Sequence, residues 1–152
     1  MPGKRVDFHS EGTRLSGDLF LPDDLRQSEK RAGIVLCHGY TGVRNLYLPD
    51  TAKALTDAGY VVLTFDYKGW GDSDGPKSRL SPYGRVIDSQ AALTFLAAQP
   101  MVDANRLGYL RHQLRWCYGR MDSGGRSAGQ GGRFGGWHRT WPPLDAQRSP
   151  AG

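Results

Sequence analysis

The sequence has few cysteines and no long apolar run. Its two cysteines, Cys37 and Cys117, are too few for a disulfide framework and stand in no CxxC or other metal-ligand spacing. We therefore expect neither a metal nor a cofactor. No apolar stretch approaches the length of a membrane-spanning helix, and residues 1–12 lack the apolar stretch of a secretory signal. These absences predict a cytoplasmic protein without a membrane partner.

Excess positive charge is confined to the C-terminal part of the chain. Residues 1–110 hold 13 Lys and Arg against 13 Asp and Glu, whereas residues 111–152 hold seven Arg against two Asp, which accounts for the net charge of +5. The latter part has no Lys, Glu, Val or Ile, but it has nine of the 21 glycines and three of the four tryptophans. Because folded domains do not have this composition, we predict a domain at 1–110 and a Gly/Arg-rich unstructured tail at 111–152.

The first part of the chain carries strand patterns. Residues 4–10 and 14–22 alternate apolar and polar side chains around Glu11–Gly12, which predicts an antiparallel hairpin. Continuous short apolar runs at 31–39 and 60–66 are typical of strands buried on both faces of a mainly parallel sheet.

Two helix patterns lie between and after these runs. Residues 49–58 carry an apolar face and stop at Gly59, and residues 81–99 begin with Ser81 as N-cap and Pro82 in the first turn. The run NRLGYL at 105–110 then predicts a third central strand. Alternating strands and helices predict an α/β fold, the N-terminal portion of a doubly wound, mainly parallel sheet.

Two polar loops follow the buried strands. They are HGYTG at 38–42 and DYKGWGDSDG at 66–75. In open α/β sheets, sites form at the carboxyl ends of the strands, so we expect both loops to lie at the functional edge.

These loops carry a family resemblance. GIVLCHGYTG, FDYKGWGDSDG and VDANRLGYL, at their observed spacing, resemble the α/β-hydrolase family near its dienelactone hydrolase, acetyl-xylan esterase and Xaa-Pro peptidase-like branch. The resemblance extends from about Val6 to Leu110. It implies hydrolysis of an ester, thioester or peptide-like bond in a small-molecule acyl substrate, through an acyl-enzyme formed on serine.

The resemblance also implies roles for residues in the two loops. The residue after His-Gly is Tyr40, so its backbone N–H is the candidate oxyanion-hole donor. Other residues that match the motifs are interpreted as loop architecture rather than catalytic groups. They are His38, Gly39, Gly42, Asp66, Gly69 and Gly71.

The nucleophile of the family is missing from its place. After such a lead-in the family has G-x-S-x-G, whereas residues 111–115 read RHQLR and contain no serine, cysteine or aspartate. The string GRSAG at 125–129 matches the motif, but the polar, glycine-rich YGRMDSG before it cannot form the buried strand that supports an elbow. We interpret GRSAG as a chance match.

A slipped reading frame explains the change in sequence pattern after Leu110. Reverse translation read one base later, with permitted codons, converts residues 111–133 into GTSFGGATVVWTAAADPRVKAVV. Trp116 before Cys117 must then give glycine, and Met121 before Asp122 must give tryptophan. The restored serine falls at the position of Gln113. We infer a one-base insertion near Leu110 and predict an inactive chain that lacks the nucleophile, the acid and the histidine.

Two alternatives remain for the tail and the chain. The segment GGRSAGQGGRFGGWHR at 124–139 resembles an RGG-type segment that binds RNA or another nucleic acid. The slipped frame accounts for the same residues without a partner, so it is favoured. A regulatory partner of a full-length hydrolase is a further alternative without specific support.

If the patterned part stops at its third central strand, apolar faces and strand edges stay uncovered, which predicts a poorly soluble or partly folded product.

Overall fold

A computed structural model describes residues 3–39, 42–46 and 48–111. Its elements, in chain order, are β1 (Lys4–Ser10), β2 (Thr13–Phe20), β3 (Arg31–Cys37), α1 (Leu48–Asp57), β4 (Val61–Phe65), α2 (Pro82–Ala97) and β5 (Val102–Arg111). Tyr40 lies outside the described residues, and so does the tail predicted at 111–152 apart from Arg111.

The described strands form one mixed sheet in the order β1-β2-β4-β3-β5. β3 runs parallel to both β4 and β5, and the β1–β2 hairpin joins β4 in the antiparallel direction. The predicted α/β class is therefore confirmed, with the parallel pairing confined to β3, β4 and β5. Within the described sheet β5 occupies an edge beside β3, whereas the sequence predicted a central strand.

The hairpin has the two-residue turn that the sequence predicts. Ser10 pairs with Thr13, which leaves Glu11 and Gly12 as the turn. Their φ angles are 46° and 75°. Two successive positive φ angles are typical of a type I′ turn, whose twist matches that of the flanking strands.

The end of α1 and the start of α2 lie where the capping residues in the sequence predict them. At the end of α1 the N–H of Gly59 donates to Thr56 at 2.8 Å and the N–H of Tyr60 donates to Leu55 at 3.1 Å. This is a Schellman motif, and Gly59 supplies its left-handed residue at φ 90°. At the start of α2 the Ser81 hydroxyl accepts from the N–H of Gly84 at 3.0 Å.

The two helices cover opposite faces of the sheet. Side chains of β3 alternate, so that Val35 and Cys37 pack in the cluster with Ala92 of α2, whereas Leu36 packs with Ala52 of α1. Both clusters contain side chains with no exposed surface. Burial of each large apolar side chain stabilises the fold by about 1.5–3 kcal/mol. The sheet is therefore doubly wound, as the sequence predicts. In the described part of the chain no helix is long and apolar enough to cross a membrane.

Candidate functional site

The carboxyl ends of the three parallel strands meet at one edge of the sheet. Cys37, the last residue of β3, pairs with Phe65 at the end of β4 and with Arg111 at the end of β5. The loops at 38–46 and 66–75 therefore start side by side. β5 also ends at this edge.

His38 is a buried, neutral histidine in the first loop. It is 2% exposed, and its Nδ1 lies 2.9 Å from the carbonyl oxygen of Gly39 while its Nε2 accepts from the N–H of Tyr67 at 3.5 Å. A carbonyl can only accept, so Nδ1 carries the proton. Burial lowers the pKa of His38, which favours this neutral form. Because both ring nitrogens are occupied, His38 holds the loop in place.

The Gly39 carbonyl has a second donor from α2. Arg85 Nη1 donates to it at 3.2 Å. The guanidinium carbon of Arg85 lies 4.6 Å from the ring centre of Tyr67 and 5.6 Å from that of Trp70. Such positions over aromatic rings stabilise a cation and limit its motion.

Asp66 is the centre of the second loop. Its carboxylate is 1% exposed and accepts from the N–H of Arg44 at 2.7 Å, from the Arg44 guanidinium and from the N–H of Asp72 at 3.2 Å. Arg44 also donates to Asp18 at 2.7 Å. Asp66 therefore ties the first loop to the second and to β2.

Contacts require glycine at Gly69 and Gly71 and leave little room for a side chain at Gly42. At Gly71, with φ 49°, a Cβ would lie 2.2 Å from Asp66 Oδ2, and at Gly69, with φ 77°, it would lie 2.0 Å from the Pro76 carbonyl oxygen. At Gly42 a Cβ would lie 3.2 Å from His38 Cβ. A side chain at Gly69 or Gly71 would displace backbone or the central carboxylate.

A cluster of Cys37, Tyr67 and Ser89, all buried, lies beneath this edge on the α2 side, with the partly exposed Tyr109 beside it. The hydroxyl of Tyr67 lies 3.4 Å from Ser89 Oγ and 3.4 Å from the Tyr109 hydroxyl. Cys37 has no exposed surface, and burial raises the pKa of its thiol to about 11. Burial also raises the pKa of Tyr67 and of Tyr109. Cys37 is thus a protonated core thiol and not an activated nucleophile.

Other features of the described residues do not add to this edge. Two surface concavities lie at the opposite end of the parallel strands, one beside Lys53 and Asp57 and one beside Arg26 and Arg31. No group of three His, Cys, Asp or Glu side chains within 3–39, 42–46 and 48–111 could hold a metal ion.

The structure brings together most of the residues that the sequence singled out. His38, Gly39 and Gly42 lie in one loop and Asp66, Gly69 and Gly71 in the next, whereas Tyr40 lies outside the described residues. Sequence reasoning missed Arg44 and Arg85, which hold these loops. In the sequence only their positions could have indicated this role, since Arg44 lies inside the first loop and Arg85 lies in the first turn of a helix that covers the sheet.

The comparisons with known proteins agree with this geometry. A family model described as Serine aminopeptidase, S33, matches residues 28–104, half of the chain. An uncharacterized 31.7 kDa protein from the traX-finO intergenic region of Escherichia coli is 43% identical over 75 residues, which cover 49% of this chain and 26% of that protein. The polyketide transferase claH of Penicillium crustosum is 32% identical over 108 residues, which cover 70% of this chain and 35% of the transferase.

A solved structure gives the same result. A hypothetical protein from Pseudomonas aeruginosa superposes with a TM-score of 0.66 at 30% identity, over 70% of this chain and 33% of that one. The chain therefore spans about a third, or less, of the length of these relatives. Because the family match at residues 28–104 spans half of the chain, this chain belongs to the α/β-hydrolase family, in the group described as serine aminopeptidase S33.

Proposed function

We propose that this chain is a serine-hydrolase relative that keeps the oxyanion side of an acyl-transfer site, lacks the nucleophile, and has no turnover of its own. In intact relatives the same site would hydrolyse an ester, thioester or peptide-like bond of a small-molecule acyl substrate. Catalysis there needs a serine held on a rigid turn and a donor fixed opposite the developing negative charge.

The observation that carries the proposal is the pairing of Arg111 with Cys37. It supports a nucleophile position directly beside the His38–Gly39 turn, where an elbow serine would face the oxyanion loop. At that point the sequence has Gln113, inside RHQLR. A glutamine amide cannot form an acyl-enzyme, so the step that defines this chemistry has no residue to perform it.

The loop residues take supporting roles in this proposal. The backbone N–H of Tyr40 is the oxyanion donor. The surrounding residues keep the two loops in position through the hydrogen bonds and close contacts described above. They are His38, Gly39, Gly42, Asp66, Gly69 and Gly71.

An esterase assay on the full 152-residue chain tests the proposal. The unsubstituted chain should hydrolyse p-nitrophenyl acetate no faster than the Ser127→Ala variant does. Both rates should equal the rate in buffer alone. Ser127 is the matched position because it stands in the chance GRSAG string. Hydrolysis that disappears with Ser127→Ala would overturn the proposal.

The gene supplies an independent test. Its nucleotides across codons 105–125 should spell the elbow, with serine at the position of Gln113, when they are read one base later. Codons that cannot spell it would remove the slipped frame as the reason for the missing nucleophile.

A second candidate function is nucleic-acid binding by residues 111–152. The observation that favours it is the location of the whole net charge in that part, together with its glycines and aromatic residues. RNA binding that weakens steeply with salt, and that disappears when residues 111–152 are deleted, would support it. Unchanged weak binding after the deletion would exclude it.

A further inference from the structure

A hydrogen bond between the segments that follow β3 and β4 depends on the protonation state of a histidine. His38 Nε2 accepts from the backbone N–H of Tyr67 at 3.5 Å, and its Nδ1 donates to the carbonyl oxygen of Gly39 at 2.9 Å. The His38 ring is 2% exposed and meets the Tyr67 ring edge-on at 4.9 Å. Because His38 follows directly on β3 and Tyr67 lies two residues after β4, this contact links the starts of the two loops.

A proton on Nε2 would turn the acceptor of this bond into a donor. Only the neutral ring can accept, because an imidazolium carries an N–H on both of its nitrogens. In the charged form the ring N–H would face the N–H of Tyr67, and two donors repel each other. The contact between His38 and Tyr67 therefore exists only while the ring is neutral.

Positive charges around His38 oppose its protonation. Arg85 Nη1 lies 3.2 Å from the carbonyl oxygen of Gly39, the same atom that accepts from His38. A charged His38 would share this oxygen with a guanidinium from α2, and like charges so close to each other disfavour the protonated state. Arg111, at the end of β5, adds a second positive charge that acts in the same direction.

Among the described residues the carboxylate that acts on His38 is Asp66, directly after β4. Its attraction would favour a charged ring. The same carboxylate already accepts from the backbone N–H and the guanidinium of Arg44 and from the N–H of Asp72. Because Arg44 neutralises most of its charge, Asp66 compensates a second cation only weakly.

The other titratable groups at this place stay neutral. Burial raises the pKa of Cys37, of Tyr67 and of Tyr109. Burial, together with Arg85 and Arg111, lowers the pKa of His38 itself. His38 is thus the group here whose charge changes in mildly acidic solution.

We propose that His38 is a pH-sensitive contact, at which a proton on Nε2 breaks the bond from Tyr67 and opens the junction after β3 and β4 while the sheet stays folded. The inference goes beyond the function proposed above and does not depend on a nucleophile. It assigns to this edge an ordered form in neutral solution and an open form in mild acid.

The pH range follows from the two protonation equilibria. In the open form His38 is exposed to water and titrates near its usual pKa of 6.5, whereas in the closed form its pKa is lower. The open form therefore takes up a proton that the closed form excludes. Between pH 6.5 and the lower pKa, the open fraction should rise by up to about tenfold for each pH unit of acidification.

Amide exchange in the full chain measures this opening. Asp is followed by Tyr only at Asp66–Tyr67, and Val is followed by Val only at Val61–Val62. Labelling the carbonyl of the first residue type with ¹³C and the amide of the second with ¹⁵N therefore gives one signal for each pair. The protection factor of each amide is its exchange rate in an unstructured peptide at the same pH divided by the observed rate. Val62 lies in β4 and reports on unfolding of the whole sheet.

From about pH 8 to about pH 5 the protection factor of the Tyr67 amide should fall with the slope given above, and at each pH it should be smaller than that of Val62. A smaller value shows that Tyr67 exchanges by a local opening, because an amide released only by global unfolding would be as protected as Val62.

Three variants separate the causes. His38→Gln offers a side-chain carbonyl near the place of Nε2 and does not titrate, so the Tyr67 protection factor should no longer fall in acid. His9→Asn removes an exposed histidine and should leave the fall unchanged. Arg85→Met removes the like charge, so the pKa of His38, read from a ¹³C label in its ring, should rise.

Four results would each overturn the proposal. They are equal protection of Tyr67 and Val62 at every pH, an unchanged fall in His38→Gln, a measured His38 pKa at or above 6.5, and a Tyr67 amide without protection at about pH 8. None of these readouts involves turnover, so esterase activity would contradict the proposed function and leave this inference standing.

Discussion

Arg44 and Asp66 form a buried ion pair that joins the loop after β3 to the end of β4. Each side chain is 1% exposed, and the backbone N–H of Arg44 donates to Asp66 at 2.7 Å in addition to the guanidinium contact. Arg44 further donates to Asp18 and to Asp72 at 2.7 and 2.9 Å. One cation therefore serves three carboxylates, and its loss would leave a charge buried without a partner.

Replacing Arg44 should destabilise the fold strongly. Arg44→Met leaves the Asp66 carboxylate buried without its positive partner, with only backbone N–H donors, so the free energy of unfolding should fall by about 3–5 kcal/mol. Urea unfolding followed by circular dichroism measures this. The control is Lys53→Met, which removes an exposed pair with Asp57 and should leave the free energy of unfolding nearly unchanged. Equal losses in the two variants would contradict a central role for the Arg44–Asp66 pair.

Gly71→Ala should be more harmful than Gly12→Ala. Both glycines have positive φ, so each alanine carries a backbone strain of about 1–2 kcal/mol. At Gly12 a Cβ would meet nothing within 4 Å, whereas at Gly71 it would lie 2.2 Å from Asp66 Oδ2. Urea unfolding measures the loss of unfolding free energy in each variant, and the difference between the two losses isolates the clash with Asp66. Similar losses would show that the loop can shift away from its central carboxylate.

His38 should make the stability depend on pH. Its pKa is lowered by burial, so the unfolded chain binds a proton near its usual pKa of 6.5 before the folded chain does. Stability from this group is therefore present above that pH and is lost as the pH falls toward the lower folded pKa. His38→Asn should reduce the difference in unfolding free energy between about pH 7.5 and about pH 5.5.

The exposed residue His9 provides the control for that experiment. His9→Asn should leave the pH dependence of the unfolding free energy close to that of the unsubstituted chain. A larger change from His9→Asn than from His38→Asn would contradict the assignment of the effect to the buried imidazole.

The outer edge of β5 should limit solubility. Tyr109 and Leu110 are 44% and 37% exposed near the end of this strand, and in the described sheet β5 pairs only with β3. Unpaired edges with apolar side chains promote association, and a lysine on the edge opposes it. Leu110→Lys should raise the soluble fraction after expression, whereas Leu46→Lys, at a loop residue 48% exposed, should not. An unsubstituted chain that stays a soluble monomer at high concentration would contradict this expectation.

Local features were readable from the sequence because neighbouring residues produce them. Glu11–Gly12 between alternating runs predicted the hairpin turn, Gly59 predicted the end of α1, and Ser81 predicted the start of α2. The apolar runs of β3 and β4 predicted burial on both faces, and side chains of both strands pack in the two core clusters. Each of these follows from backbone preferences or from how one segment buries its own surface.

The tertiary structure decided the contacts between distant segments. Arg44 meets Asp66 across 22 positions and Arg85 meets Gly39 across 46 positions, although in the sequence both arginines look like ordinary surface charges. The place of β5 beside β3 was equally undetermined, because an apolar pattern predicts that a strand is buried but not which strand it pairs with. The sequence by itself determined the segments and the family to which they belong. The sequence also placed both loops at one edge of the sheet. Only the packed sheet decided that they are neighbours there and which arginines hold them, since that depends on the spatial order of the strands.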